Sequence, residues 1–70
     1  MNELRIDTPF IRLDSALKLS GLAETGGHAK ILVQEGCVLV NGELCLQRGK
    51  KLVSGDVVDL DGEEFEVVGP

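Results

Sequence analysis

Two dipeptides, Asn41-Gly42 and Asp61-Gly62, constrain this chain more than any other feature, because each sits between short runs rich in Val, Leu and Phe. Asn-Gly and Asp-Gly accept positive φ at both central positions of a tight turn, and between apolar runs they are the strongest short-range hairpin signal. Cys37–Val40 with Glu43–Leu46, and Val57–Leu60 with Phe65–Val68, are therefore expected as two hairpins. In the second, Val58, Leu60, Phe65 and Val67 face inward, leaving Asp59, Glu64 and Glu66 outward. The first has two possible registers. A two-residue loop sets Val40 opposite Glu43 and Cys45 opposite Val38. A three-residue loop sets Leu39 opposite Glu43 and Cys37 opposite Cys45. Hydrophobic pattern normally sets register. The three-residue loop is favoured on that ground, since it gathers Val38, Leu44 and Leu46 on one buried face.

The first half of the chain reads differently. Glu3–Ile6 alternates polar and apolar, which suits a short strand, and Asp7-Thr8-Pro9 interrupts it before an extended Phe10–Leu13 segment. A first helix is expected over Asp14–Ser20, with Leu13, Ala16, Leu17 and Ser20 on one face and Gly21 as a left-handed stop on which Leu22 packs back. A second starts after the capping hydroxyl of Thr25 and runs to Glu35, where Gly36 ends it. Its inner face is Ala29, Leu32 and Val33, so Lys30 and Gln34 point to solvent or a partner. Gly26 and Gly27 cost a helix about 1 kcal/mol each relative to alanine. Bare backbone at that position suggests close approach by a ligand or another chain. The fold class expected is α+β, two short helices packed on a small, mostly antiparallel sheet with an added N-terminal strand.

Seventy residues, 43% of them hydrophobic, make one domain over 1–70 with room for a single core and none for a deep pocket. Catalysis is not expected. The one histidine, His28, cannot supply a dyad, and the paired carboxylates fall on an outward strand face where water keeps them ionised. Cys37 and Cys45 lack metal-ligand spacing and read as thiols, so no cofactor is expected. No apolar run approaches the roughly 18 residues of a membrane span, and the start Met-Asn-Glu-Leu-Arg-Ile-Asp has neither a basic leader nor an apolar signal core, so a cytoplasmic monomer away from membranes is expected. With Phe10 and Phe65 as the only aromatics, modules that hold single strands by stacking several bases are excluded.

Net charge is −5, which on average opposes binding to phosphate, but the distribution is uneven. All seven basic residues lie within 1–51, where they face six acids; residues 52–70 hold six acids and no base. The run Gln47-Arg48-Gly49-Lys50-Lys51 places three cations in four positions ahead of a Ser54-Gly55-Asp56 turn. If the second helix packs on the first hairpin, the amides of Gly26 and Gly27 can join Lys30, Arg48, Lys50 and Lys51 in one phosphate-binding surface.

Arg12-Leu13-Asp14, Leu17-Lys18-Leu19-Ser20-Gly21-Leu22, Ala29-Lys30, the Gly36–Gly42 segment Gly-Cys-Val-Leu-Val-Asn-Gly and Gly55-Asp56-Val57-Val58 stand in the order found in a known family. Over about residues 11–60 the chain resembles the S4-type RNA-binding domain, also called the alpha-L domain. Thr25-Gly26-Gly27, Ala29-Lys30 and Arg48–Leu52 look more narrowly like its short stand-alone bacterial members. The resemblance implies two helices against a small sheet, binding structured RNA such as ribosomal or transfer RNA in translation, with ribosomal proteins as further partners. Site residues expected are Gly26, Gly27, Lys30, Gln34, Arg48, Lys50 and Lys51, to which the resemblance adds Lys18, otherwise as easily an ordinary exposed lysine. The patch is thin for such a domain: Gln47 precedes Arg48 where relatives often carry a second arginine. The competing reading is a protein-interaction adaptor that uses the acidic face of Asp59, Glu63, Glu64 and Glu66.

Overall fold

The computed structural model describes residues 2–70, with elements in the order β1 (Asn2–Arg5), β2 (Ile11–Arg12), α1 (Leu13–Leu19), α2 (Gly26–Gln34), β3 (Val38–Val40), β4 (Glu43–Leu44), β5 (Lys51–Leu52), β6 (Val57–Leu60) and β7 (Glu63–Val68). Five strands form a sheet in the order β1-β7-β6-β3-β4, antiparallel except for the parallel β1–β7 pair, and β2 pairs with β5 in a separate two-stranded ribbon. Both helices pack on the sheet's inner face. Leu13, Ala16 and Leu17 of α1 and Ala29 and Val33 of α2 meet Val38, Val40, Val58, Phe65 and Val67 in one core, joined by Leu52 from β5.

Both Xaa-Gly turns take the geometry their residues favour. Asn41 and Gly42 have φ of 53° and 83°, Asp61 and Gly62 have 51° and 90°, and each turn has two residues in its loop. The second hairpin is as expected, with Val58 opposite Phe65 and Leu60 opposite Glu63. In the first, the expected three-residue loop is overturned: Val40 faces Glu43, Leu39 faces Leu44, and the Cys45 amide donates to Val38 O at 3.0 Å. Cys37 and Cys45 are therefore not cross-strand partners, and both are free thiols. Cys45 takes the buried position, while Leu44 and Leu46, expected inside, are each 57% exposed. The reason is twist. A turn with two consecutive positive φ values matches the right-handed twist of its strands, and that local preference outweighs the gain from burying two leucines in another register.

A side-chain network ties this turn to the rest of the sheet. Asn41 Nδ2 donates to Asp56 Oδ1 at 3.0 Å, Val57 N donates to Asn41 Oδ1 at 2.9 Å, and Val53 N donates to Asp56 Oδ2 at 2.9 Å. Asn41 and Asp56 thus weld two turns 15 residues apart in sequence. Hydrogen bonds to a carboxylate are stronger than neutral ones. Asp56→Ala is expected to lower unfolding free energy by about 1–2 kcal/mol. In chemical denaturation, Asn41→Ala added to it should cost less than the two single losses combined, since both remove one network.

Candidate nucleic-acid interface

The cationic run is held by backbone. Lys50 N donates to Gln47 O at 3.1 Å to close a turn, and the carbonyls beyond it point at α1: Leu13 N donates to Lys50 O at 2.8 Å and Asp14 N to Arg48 O at 3.0 Å. Helix starts leave amides without intrahelical partners. Here the N-cap residue, Arg12, offers no side-chain cap, and the loop supplies the acceptors instead, with Asp14 Oδ1 accepting from Ser15 N at 2.8 Å. Lys51 pairs with Arg12 across β2–β5, while buried Leu52 anchors the ribbon in the core. That pairing of Lys51 and Leu52 was not expected from the sequence, where the segment read as loop.

Arg48, Lys50 and Lys51 are all exposed around this anchored turn. Arg12 joins them: its Nη2 lies 3.2 Å from Asp14 Oδ2, and a side chain at Gly49 would sit 3.4 Å from the same guanidinium. Half of the Arg12 side chain is exposed and Asp14 is mostly covered, so the pair presents its cationic side outward. Lys51 Nζ lies 4.7 Å from the centroid of the Phe10 ring. Lys18 follows Asp14 by four residues, hence on the same stripe of α1, one turn toward the end from which the chain leads into α2.

The start of α2 contrasts with that of α1. Thr25 caps it as expected, its Oγ1 accepting from His28 N at 3.0 Å and its carbonyl from Ala29 N at 3.0 Å. The amides of Gly26 and Gly27 have no acceptor among the described residues. A Cβ at Gly26 would meet nothing within 4 Å, and one at Gly27 only Thr25 Oγ1 at 3.8 Å, so neither glycine serves close helix packing. Lys30 and Gln34 are exposed, and with Gly27 and Ile31 they fall at the spacing of one outward helix face. Ile31, 53% exposed in the middle of it, was not singled out from the sequence. No hydrogen bond among the described residues joins this face to the cationic loop.

Apart from Asp14 and Glu43, which lie beside the cationic turn, a separate group of acids lies on the sheet. On the outer face of the sheet, away from the helices, Glu3 is directly opposite Glu66 and Asp59 directly opposite Glu64. A groove of about 310 Å³ between α1 and the sheet edge is rimmed by Glu3, Glu63 and Glu64, and a second, of about 340 Å³ beside the cationic loop, holds Glu43 and Lys50. Among the described residues no group of three or more His, Cys, Asp and Glu could hold a metal ion, and no helix is long and apolar enough to cross a membrane.

An α+β frame of two helices on this sheet, with a backbone-anchored cationic turn at one helix start, defines a class of small domain. The S4 domain family model matches residues 4–68, and the chain belongs to that family. It is 46% identical over 68 residues, 96% of each chain, to the Bacillus subtilis (strain 168) protein named "Probable ribosome maturation protein RlbA". It is 38% identical over 60 residues, 86% of each chain, to YbcJ of Escherichia coli (strain K12). The solution structure of YbcJ, described as revealing an alfaL motif involved in RNA-binding, superposes with a TM-score of 0.75 at 35% identity, covering 97% of this chain and 87% of that one. The 30S ribosomal protein S4e of Thermoplasma acidophilum shares the fold at 20% identity, with a TM-score of 0.65 over 86% of this chain and 32% of its own.

Open space at Gly26 and Gly27, with neither residue at positive φ, makes a stability prediction. Gly27→Ala should raise unfolding free energy by about 0.5–1 kcal/mol in thermal or chemical denaturation, the ordinary gain for alanine in a helix.

Proposed function

We propose that the protein binds structured RNA, ribosomal or transfer RNA, without catalysis, as a translation-associated module. The reading is supported chiefly by one observation: the carbonyls of Arg48 and Lys50 are spent on α1, which fixes the backbone of a turn whose cationic side chains all remain exposed. A turn whose backbone is already fixed needs no ordering of its own on meeting a phosphate backbone, and its cations fix the register of the RNA rather than read its bases. Arg48, Lys50 and Lys51 with Arg12 form the principal contact, and Lys18 extends it along α1. The unpaired amides of Gly26 and Gly27, with Lys30 and Gln34 on the same helix, take a further phosphate, since the N-terminus of a helix favours negative charge. The names carried by RlbA and YbcJ support the same reading, the first toward the ribosome and the second toward RNA. The acidic outer sheet face turns away from the nucleic acid and leaves room for a ribosomal protein on that side.

Filter binding to total ribosomal RNA and to total transfer RNA tests this. Lys50→Glu with Lys51→Glu should weaken binding at least tenfold with the circular dichroism spectrum unchanged; undiminished binding removes the proposed surface. With four or five phosphates engaged, the log-log salt dependence of the wild-type affinity should have a slope of about −3 to −4.5.

A further inference from the structure

Phe10 is the one exposed aromatic among the described residues: the residue is 41% exposed, whereas Phe65 is 2% exposed in the core. Its neighbour Ile11 turns inward and pairs with Leu52, so the chain at this point has access to the interior and still leaves the ring on the surface. The residue is held on both sides. Thr8 Oγ1 donates to Phe10 O at 2.8 Å, and Ile11 is fixed by β2–β5. Lys51 Nζ sits over the ring at 4.7 Å from its centroid, with Arg12 paired across from Lys51 and Lys50 next in sequence. An exposed ring with its backbone fixed, a cation over one face and further cations nearby, can hold a nucleobase by stacking on the other face while the phosphates meet the charges.

We infer that Phe10 is a stacking platform for one unpaired base of the bound RNA, so that the preferred target is a stem interrupted by a bulged or looped-out nucleotide rather than a continuous duplex. The inference rests on the RNA-binding reading above and adds a selectivity that phosphate contacts alone lack. Bases within a continuous A-form stem are stacked on each other and closed to a side chain, while an unpaired one can be splayed out onto a ring. The ammonium of Lys51 is placed for the phosphate flanking that base. One ring serves one base, which fits a chain with a single exposed aromatic.

The test uses two synthetic RNA hairpins, one with a single 2-aminopurine bulge in its stem and one with the bulge deleted, measured by fluorescence and by filter binding at low salt. Wild-type protein should bind the bulged hairpin roughly 5- to 100-fold more tightly, the range that stacking on one aromatic supplies, and should quench the 2-aminopurine. Phe10→Leu keeps an apolar side chain at the position but removes the ring; it should bind both hairpins alike, with the salt slope unchanged and no quenching. Phe10→Tyr should retain the preference. Equal wild-type binding to the two hairpins, or a preference that survives Phe10→Leu, overturns the stacking platform while leaving RNA binding in place. Binding to neither hairpin overturns the platform, and loss of binding to total ribosomal and transfer RNA as well would remove the reading beneath it.

Discussion

Two hydrogen bonds, from the amides of Leu13 and Asp14 to the carbonyls of Lys50 and Arg48, join the halves of this molecule. A helix of seven residues is far too short to be stable alone, and α1 has no side-chain cap of its own. Its first amides find acceptors only when the turn after the first hairpin has arrived from the far end of the fold. Forming α1 and positioning the cationic turn are consequently one event. The arrangement also settles how the two helix starts differ: α1 is closed by the protein's own carbonyls, while α2 keeps the amides of Gly26 and Gly27 open.

The division of charge follows from the same architecture. Acids are placed directly opposite one another on the outer sheet face, Glu3 with Glu66 and Asp59 with Glu64, and such like-charged pairs are mildly destabilising. The core carries that cost, since Phe65, Val67 and Val58 behind the acids are almost completely buried. Placing four acids on a separate face leaves Arg12, Arg48, Lys50 and Lys51 in excess over Asp14 and Glu43 around the turn at α1, in a protein whose net charge is −5. Net charge is thus a poor guide to what this surface can attract.

Much of the fold was legible because local chemistry and tertiary structure agree. Thr25 caps α2, Gly21 and Gly36 follow their helices at positive φ, and Val58, Leu60, Phe65 and Val67 alternate inward. Register in the first hairpin was misread because two local signals conflict there. The apolar pattern of Val38, Leu44 and Leu46 points one way, the Asn41-Gly42 turn the other, and turn geometry prevails. The pairing of β5 with β2 was hidden for a different reason: two residues carry no periodicity, and only the partner strand and the buried Leu52 define them. Of the candidate site, Arg48, Lys50, Lys51, Lys18, Lys30 and Gln34 could be named from charge, spacing and family motif. Arg12 stood in the family motif but was not assigned to the site, and Phe10 and Ile31 could not be named, since an aromatic near a proline and an isoleucine in a helix look ordinary until their exposure is known.

The parallel pairing of β1 with β7 brings residue 2 beside residue 65, so the ladder closes over almost the whole polypeptide. Contacts between such distant positions require the intervening chain to be ordered first, and they slow folding. β1 and β4 lie at the two edges of the sheet, where local opening is easiest. Amide exchange should accordingly be graded across the sheet, faster along the two outer strands and slowest in the central hairpin, so that openings at the edges leave the ribbon that bears the cations in place.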